Sequence, residues 1–308
     1  MGRAPLACVD LGTNTCLMLV ARPDDDGGVE VLADRARIIR LGEGVDRTRR
    51  LAESAKQRAL TCLGEYAQEA RSLGATHLVA VATSAMRDAE DGREFAREIE
   101  AQTGFHVDII SGDEEAGLAY AAVAADFAQA GKKTAVFDIG GGSTEVMIGE
   151  GNSLLSRVSV DIGSVRLTER FLKHDPPTVD ELAALQAHIN SALERRPPLE
   201  PGTPLVGIAG TVTTLAACAL GQDTYDAAQV HGAPLSIQSV EGLRRRFAEL
   251  TSAGRLAIKP LEPGRADVIV AGAMIVESIM RAYGVPRIVV GDRGVRFGLC
   301  YREVARLR

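Results

Sequence analysis

The chain has 308 residues, a net charge of −6, 46% apolar residues and no tryptophan. Its length suits two domains, and an acidic balance with few aromatics argues against a general nucleic-acid binder. No apolar run reaches the length of a membrane span and the N-terminus shows no signal-peptide profile, so a cytoplasmic protein with no membrane partner is expected.

The pattern predicts strands near 6–11, 15–22 and 29–40, then a helix over Glu53–Leu73 and a strand at His77–Thr83. A helix near 92–103, a strand at Phe105–Ile110 and a helix over Asp113–Asp126 follow. The order then repeats. Strands are predicted near 133–139, 144–149 and 154–161, helices at 163–173 and 178–195, and a strand at Leu205–Ala209. A helix starts near Thr211, others cover 239–252 and 265–283, and a strand at Arg287–Val290 precedes a closing helix from Val295. Hairpins followed by alternating helices and strands predict a mixed sheet covered by helices. Two such units in tandem predict a duplicated α/β fold with an interdomain cleft. The expected domains are 1–126 and 127–308, with the helix 295–308 able to return to the first.

Two segments read as copies of one device. Leu6-Ala-Cys-Val-Asp-Leu-Gly-Thr-Asn-Thr15 and Ala135-Val-Phe-Asp-Ile-Gly-Gly-Gly-Ser-Thr144 are each a strand, a tight turn and the start of a second strand. Such turns point N–H groups and hydroxyls into one concavity, which suits phosphate. Asp10 and Asp138 stand at the same place and supply the hard oxygens that Mg²⁺ prefers. Thr13, Asn14 and Thr15 would cradle phosphate in the first turn, although Asn is also common in plain hairpin turns. Gly140, Gly141 and Gly142 admit close backbone approach in the second, with Ser143 and Thr144 as hydroxyl donors. A flexible hairpin explains three glycines equally well when the loop is taken alone.

Ser111-Gly-Asp-Glu114 is a capping box, which gives Glu114 a structural role. Glu115 is left over, at the head of a stripe with Leu118, Ala119, Ala122 and Ala125. A carboxylate there is paired, functional or simply favoured by the helix N-terminus. Arg87 follows a strand end, where open α/β sheets bind ligands; a surface charge is the plain alternative. Gly210 and Thr211 sit in a strand-to-helix turn, and Arg265 opens an Ala/Gly-rich helix. Arg35 and Arg37 alternate on one strand face and could guide a polyanion. Cys8, Cys16, Cys62, Cys218 and Cys300 are scattered without zinc-ligand spacing, so reduced thiols are expected.

Asp10-Leu-Gly-Thr-Asn-Thr15, Ser111-Gly-Asp-Glu-Glu115, Asp138-Ile-Gly-Gly-Gly-Ser-Thr-Glu145, Gly207-Ile-Ala-Gly-Thr211, Arg265-Ala-Asp267 and Gly291-Asp-Arg-Gly-Val-Arg296 occur in that order. Together they resemble the exopolyphosphatase / guanosine pentaphosphate phosphohydrolase family, within the acetate-kinase, sugar-kinase, Hsp70 and actin superfamily. The resemblance spans nearly the whole chain and implies actin-like (ribonuclease H-like) domains in a short, two-domain member. It implies Glu115 as the general base and Asp138 and Glu145, with Asp10, as holders of Mg²⁺, Mn²⁺ being an alternative. It further implies phosphate contacts from Arg87, Gly210, Thr211 and Arg265. The expected reaction is release of orthophosphate from the end of inorganic polyphosphate by a homodimer. The alternatives are hydrolysis of guanosine pentaphosphate and, more remotely, an ATP-dependent kinase or an actin-like assembly protein. Phe297 stands where the family usually has Glu in its final motif, and His231 matches a family position without an assigned chemistry.

Overall fold

A computed structural model describes residues 4–24 and 28–307. Residues 1–3 of the expected first domain and residue 308 of the closing helix lie outside them. The chain divides into two compact units, Met1–Ala122 with Val295–Arg308, and Val123–Gly294.

In the first unit, β1 (Leu6–Leu11), β2 (Thr15–Pro23) and β3 (Val29–Ile38) form an antiparallel meander. After α1 (Val45–Thr48) and α2 (Glu53–Ser72), β4 (His77–Ala82) returns parallel to β1. Next come α3 (Ser84–Asp88), α4 (Gly92–Thr103), β5 (His106–Ile109) and α5 (Gly112–Phe127). The sheet order is β3-β2-β1-β4-β5. α4 buries Phe95, Ala96, Ile99 and Thr103 on one face and stops at Gly104, whose φ of 81° suits a residue without Cβ.

The second unit repeats this plan. β6 (Lys133–Ile139), β7 (Thr144–Glu150) and β8 (Ser153–Val160) form the meander. α6 (Ser164–Phe171) and α7 (Val179–Ala192) precede β9 (Leu205–Ile208), which runs parallel to β6. α8 (Ala209–Ala219), α9 (Ala227–Val230), β10 (Pro234–Ser236), α10 (Ile237–Glu249), α11 (Ser252–Arg255), α12 (Pro263–Ala266), α13 (Ile269–Ala282) and β11 (Arg287–Val290) complete it. The order β10-β11-β9-β6-β7-β8 is that of the first sheet with one added edge strand. β6 is buried along nearly its whole length, and its centre, Ala135, Val136 and Phe137, is apolar without alternation, as suits a strand covered on both faces. α13 is buried from Ile269 to Met280 and forms the centre of this core with Phe137, Leu205 and Val212. α14 (Val295–Arg306) belongs to the first unit and packs on β1 and β2. At Gly298 a Cβ would stand 1.9 Å from the Leu118 carbonyl oxygen, so only glycine lets α14 lie this close to α5.

The long elements match the sequence expectation within a few residues. The expected helix 265–283 is instead two, because Pro263 at the start of α12 opens a separate turn and the chain restarts at Ile269. β10 was not anticipated; three residues beginning with proline carry almost no periodicity. No helix among the described residues is long and apolar enough to cross a membrane.

Candidate active site

Each unit presents its candidate residues at the C-terminal ends of parallel strands, where loops converge in open α/β sheets. In the first unit β1 ends at Leu11 and the Gly12 N–H closes the turn on the Thr15 carbonyl at 3.0 Å. The loop 39–42 wraps this turn: the N–H groups of Ile39 and Arg40 donate to the Asn14 carbonyl at 2.9 Å each, and Gly42 N–H to that of Thr13 at 2.8 Å. Thr13 and Asn14 are buried and Thr15 is half-buried. Asp10 Oδ1 is buried with no hydrogen-bond partner. Burial pushes the Asp10 carboxyl up to about 7, and the Arg296 guanidinium pulls in the opposite direction.

Arg296 is itself fixed. Its Nε and Nη2 donate to Asp34 Oδ1 and Oδ2 at 2.8 Å each, a bidentate fork. The guanidinium also lies 5.0 Å from the Phe297 ring centroid. Phe297 thus offers Arg296 an aromatic face, and Asp34 of β3 supplies a countercharge.

At the end of β5, Ser111 and Glu114 form the expected capping box: Ser111 N–H donates to Glu114 Oε2 at 3.1 Å and Glu114 N–H to Ser111 Oγ at 3.2 Å. Glu115 is not used in this cap. It is 7% exposed, and Arg87 Nη1 stands 3.3 Å from its Oε2 while donating to the Ile110 carbonyl at 2.9 Å. The structure thus brings Arg87 and Glu115 together, the base candidate from α5 and the cation from α3. Thr83 precedes α3 but makes no side-chain cap, so capping does not account for it.

In the second unit the turn has the same closure, Gly140 N–H to the Ser143 carbonyl at 3.0 Å. Asp138 and Glu145 are register partners across β6 and β7, so their side chains share one face. Glu145 is fully buried and its Oε1 accepts from Ser143 Oγ at 2.9 Å and Ser159 Oγ at 2.6 Å. The Thr144 hydroxyl donates to the Ile162 carbonyl on the opposite face of the strand. Of the two hydroxyls expected at phosphate, one therefore serves Glu145 and the other the core. The carbonyls of Gly140, Gly141 and Gly142 are all taken by the start of α6: Ser164 N–H reaches Gly140 at 3.0 Å, Val165 and Arg166 N–H reach Gly141 at 2.9 and 3.0 Å, and Arg166 Nε reaches Gly142 at 2.7 Å. Gly163 makes this possible, since a Cβ there would stand 2.3 Å from the Gly141 oxygen.

The third turn starts after β9. Ala209 has φ 72°, a left-handed conformation unusual for a residue with a Cβ. The Arg265 guanidinium lies against Gly210, so close that a Cβ there would meet Nη1 at 2.0 Å. Thr211 packs its side chain towards Gly272 of α13, which leaves Gly210 and Arg265 as the outward partners of this turn.

Arg35 pairs with Glu69 at 2.6 Å and Arg37 with Glu65, both on α2. Their charge is offset in place, which removes the reason to single them out as a polyanion track. Sequence reading missed Gly163, Arg166 and Ser159. Their signal lies in three-dimensional proximity to the glycine turn, not in spacing. All five cysteines are free, four of them buried.

Among the described residues no group of three or more His, Cys, Asp or Glu side chains is gathered to hold a metal ion unaided. The oxygen donors present nevertheless fit Mg²⁺, which is commonly held by one or two carboxylates with waters and substrate phosphates filling the rest. The partnerless Asp10 Oδ1 and the paired placement of Asp138 and Glu145 agree with that chemistry.

The family model described as the Ppx/GppA phosphatase family matches residues 19–307. A Mycobacterium tuberculosis protein named Exopolyphosphatase 2 is 36% identical, covering 97% of this chain and 98% of its own. The crystal structure of an Aquifex aeolicus Ppx/GppA family member superposes with a TM-score of 0.83 at 31% identity, over 99% of both chains. An exopolyphosphatase from Cytophaga hutchinsonii gives a TM-score of 0.89 at 26% identity, again over 99% of both chains.

Proposed function

Because this chain belongs to the Ppx/GppA phosphatase family, we propose that it is an exopolyphosphatase that hydrolyses the terminal phosphoanhydride of inorganic polyphosphate and releases orthophosphate. The observation that carries the choice of substrate is its near full-length likeness to a protein named for that activity, 36% identical over 97% of this chain. The geometry supports a mechanism on this reading. Glu115, held against Arg87 at the head of α5, takes the proton of a water as that water attacks the terminal phosphorus. The bridging P–O bond breaks, its electron pair stays on the oxygen that becomes the new end of the shortened chain, and that chain leaves. The outward N–H groups of the glycine turns, with Gly210 and Arg265, hold the phosphates. Thr13, Asn14 and Thr15 do the same in the first turn through the backbone that the loop 39–42 fixes. Asp10, Asp138 and Glu145 would hold Mg²⁺, or Mn²⁺. When bound, the ion supplies positive charge to the phosphate oxygens. No covalent nucleophile is required, as in phosphoryl transfer generally.

On the same reading the protein is a cytoplasmic homodimer, with neither nucleic acid nor a membrane as partner. The free cysteines agree with a reducing compartment. The test is a time course of orthophosphate release from polyphosphate of defined length, with the residual chain sized on a gel. A ladder shortening one unit at a time supports end-wise hydrolysis. Products of intermediate length without early orthophosphate would overturn it.

A further inference from the structure

The triple-glycine turn is held from behind by one helix start. The carbonyls of Gly140, Gly141 and Gly142 point at α6, and all three accept from it. Two acceptors are satisfied by the backbone of Ser164, Val165 and Arg166. The third, Gly142, is satisfied by a side chain, Arg166 Nε at 2.7 Å. Gly142 is also the peptide whose neighbour is Ser143, and Ser143 carries the hydroxyl on Glu145.

A peptide plane that turns its carbonyl one way turns its N–H the other. The N–H groups of Gly141, Gly142 and Ser143 donate to no backbone carbonyl among the described residues, whereas Gly140 N–H closes the turn. Their direction is therefore set by what grips the carbonyls. With three glycines the backbone has little preference of its own, so the external grip decides it. Arg166 is half-buried beside the turn, and the rest of its helix is anchored by Val165 and Leu167 in the core.

We infer that Arg166 is a positioning residue: its guanidinium locks the Gly142 carbonyl and thereby aims the N–H of the same peptide, that of Ser143, at the bound phosphates. The inference rests on the phosphate-binding reading of that turn and adds a residue outside the turn to it. A charge-assisted hydrogen bond to a backbone carbonyl is directional as well as strong. Losing it frees one peptide plane, and the cradle then binds phosphate less well in ground state and transition state alike. That pattern raises KM and spares kcat.

The experiment compares wild type with Arg166→Gln, Arg166→Lys and Gly163→Ala. Kinetics on polyphosphate are read beside the melting temperature and beside ¹⁵N NMR shifts of Ser143, with Gly141 and Gly142 as internal references, on adding inorganic tripolyphosphate. Arg166→Gln is expected to raise KM about tenfold, the worth of one such bond, with kcat within about twofold. Arg166→Lys keeps the charge and loses the planar donor, so it should not restore KM. Gly163→Ala pushes on the same turn from the Gly141 side and should raise KM likewise. In wild type the Ser143 amide should shift with tripolyphosphate, and in Arg166→Gln it should not, while Gly141 and Gly142, whose planes are held by backbone N–H groups of α6, keep their wild-type behaviour. Restoration by Arg166→Lys, a fall in kcat at unchanged KM, or equal Ser143 amide shifts in wild type and Arg166→Gln each overturn the inference. A wild type that shifts its Ser143 amide yet does not hydrolyse polyphosphate overturns the proposed activity alone, and the Ser143 comparison then decides the role of Arg166. Should Arg166→Gln not fold, Arg166→Lys and Gly163→Ala carry the same comparison.

Discussion

Asp138 and Glu145 stand opposite each other across the β6–β7 ladder, two acidic groups on one face of one hairpin. The equivalent pair in the first unit is Asp10 and Leu17. The duplication has therefore kept the strand-end acid in both units and the opposing acid in only one. Like charges placed directly opposite are destabilising. Hydroxyls of Ser143 and Ser159 on Glu145 offset part of that cost, and a divalent cation would offset more. Asp138→Asn and Glu145→Gln should each shift the Mg²⁺ activation curve to higher concentration, with excess Mg²⁺ restoring activity in at least one. Superimposable Mg²⁺ titrations for wild type and both variants would remove these residues from the metal site.

Glu114 and Glu115 are neighbours with different work. Glu114 closes the cap on Ser111 and Glu115 meets Arg87. Glu115→Gln should lower kcat by about 10²–10⁴-fold, the usual worth of a positioned base. Glu114→Gln should be mild, because Gln still closes the box. Steady-state kinetics on both variants check this, and equal losses would show that the base is misassigned.

Ala209 holds φ 72° at the head of α8. A left-handed conformation costs an L-residue about 1–2 kcal/mol, while glycine pays about 0.4–1 kcal/mol in unfolded-chain entropy. Ala209→Gly should thus leave stability unchanged or raise it by up to about 1.6 kcal/mol. Urea denaturation checks this. A clear loss of stability would mean that the Ala209 methyl makes packing contacts worth more than the strain.

Asp91 ties the start of α2 to the loop before α4. Its carboxylate accepts from Lys56 Nζ at 2.9 Å and Leu51 N–H at 3.1 Å. Burial opposes its charge, but the Lys56 ammonium and the Leu51 N–H outweigh burial and hold its carboxyl below the usual range. A carboxyl depressed in the fold contributes stability that is complete above its unfolded pKa, near 4, and is lost as pH falls through the folded value. Asp91→Asn should therefore be less stable than wild type at pH 7. The gap should narrow below about pH 4. Denaturation midpoints across that range decide it; a gap independent of pH would assign the loss to packing.

Much of this was legible in the sequence because long elements announce themselves by period. The β1–β2 and β6–β7 hairpins and the capping box at Ser111 rest on local chemistry, and local chemistry is what a sequence displays. Glu115 could be separated from Glu114 on that ground alone. Arg166 and Gly163 could not be found this way. Their importance comes from the close approach of α6 to a turn more than twenty residues earlier, and no spacing rule encodes it. The ion pairs of Arg35 and Arg37 with α2 were hidden for the same reason: alternation gives the face of a strand but not what covers it. Ala209 was missed because strain is a property of φ, and alanine reads as an ordinary helix former.

The central claim is the choice of polyphosphate as substrate. The measurement that tests it most directly is kcat/KM of the wild-type protein for polyphosphate and for guanosine pentaphosphate, taken in parallel with Mg²⁺ present. A higher kcat/KM for polyphosphate is the predicted result. Preference for guanosine pentaphosphate by about an order of magnitude, ~1.4 kcal/mol in transition-state binding, or hydrolysis of neither, would contradict it.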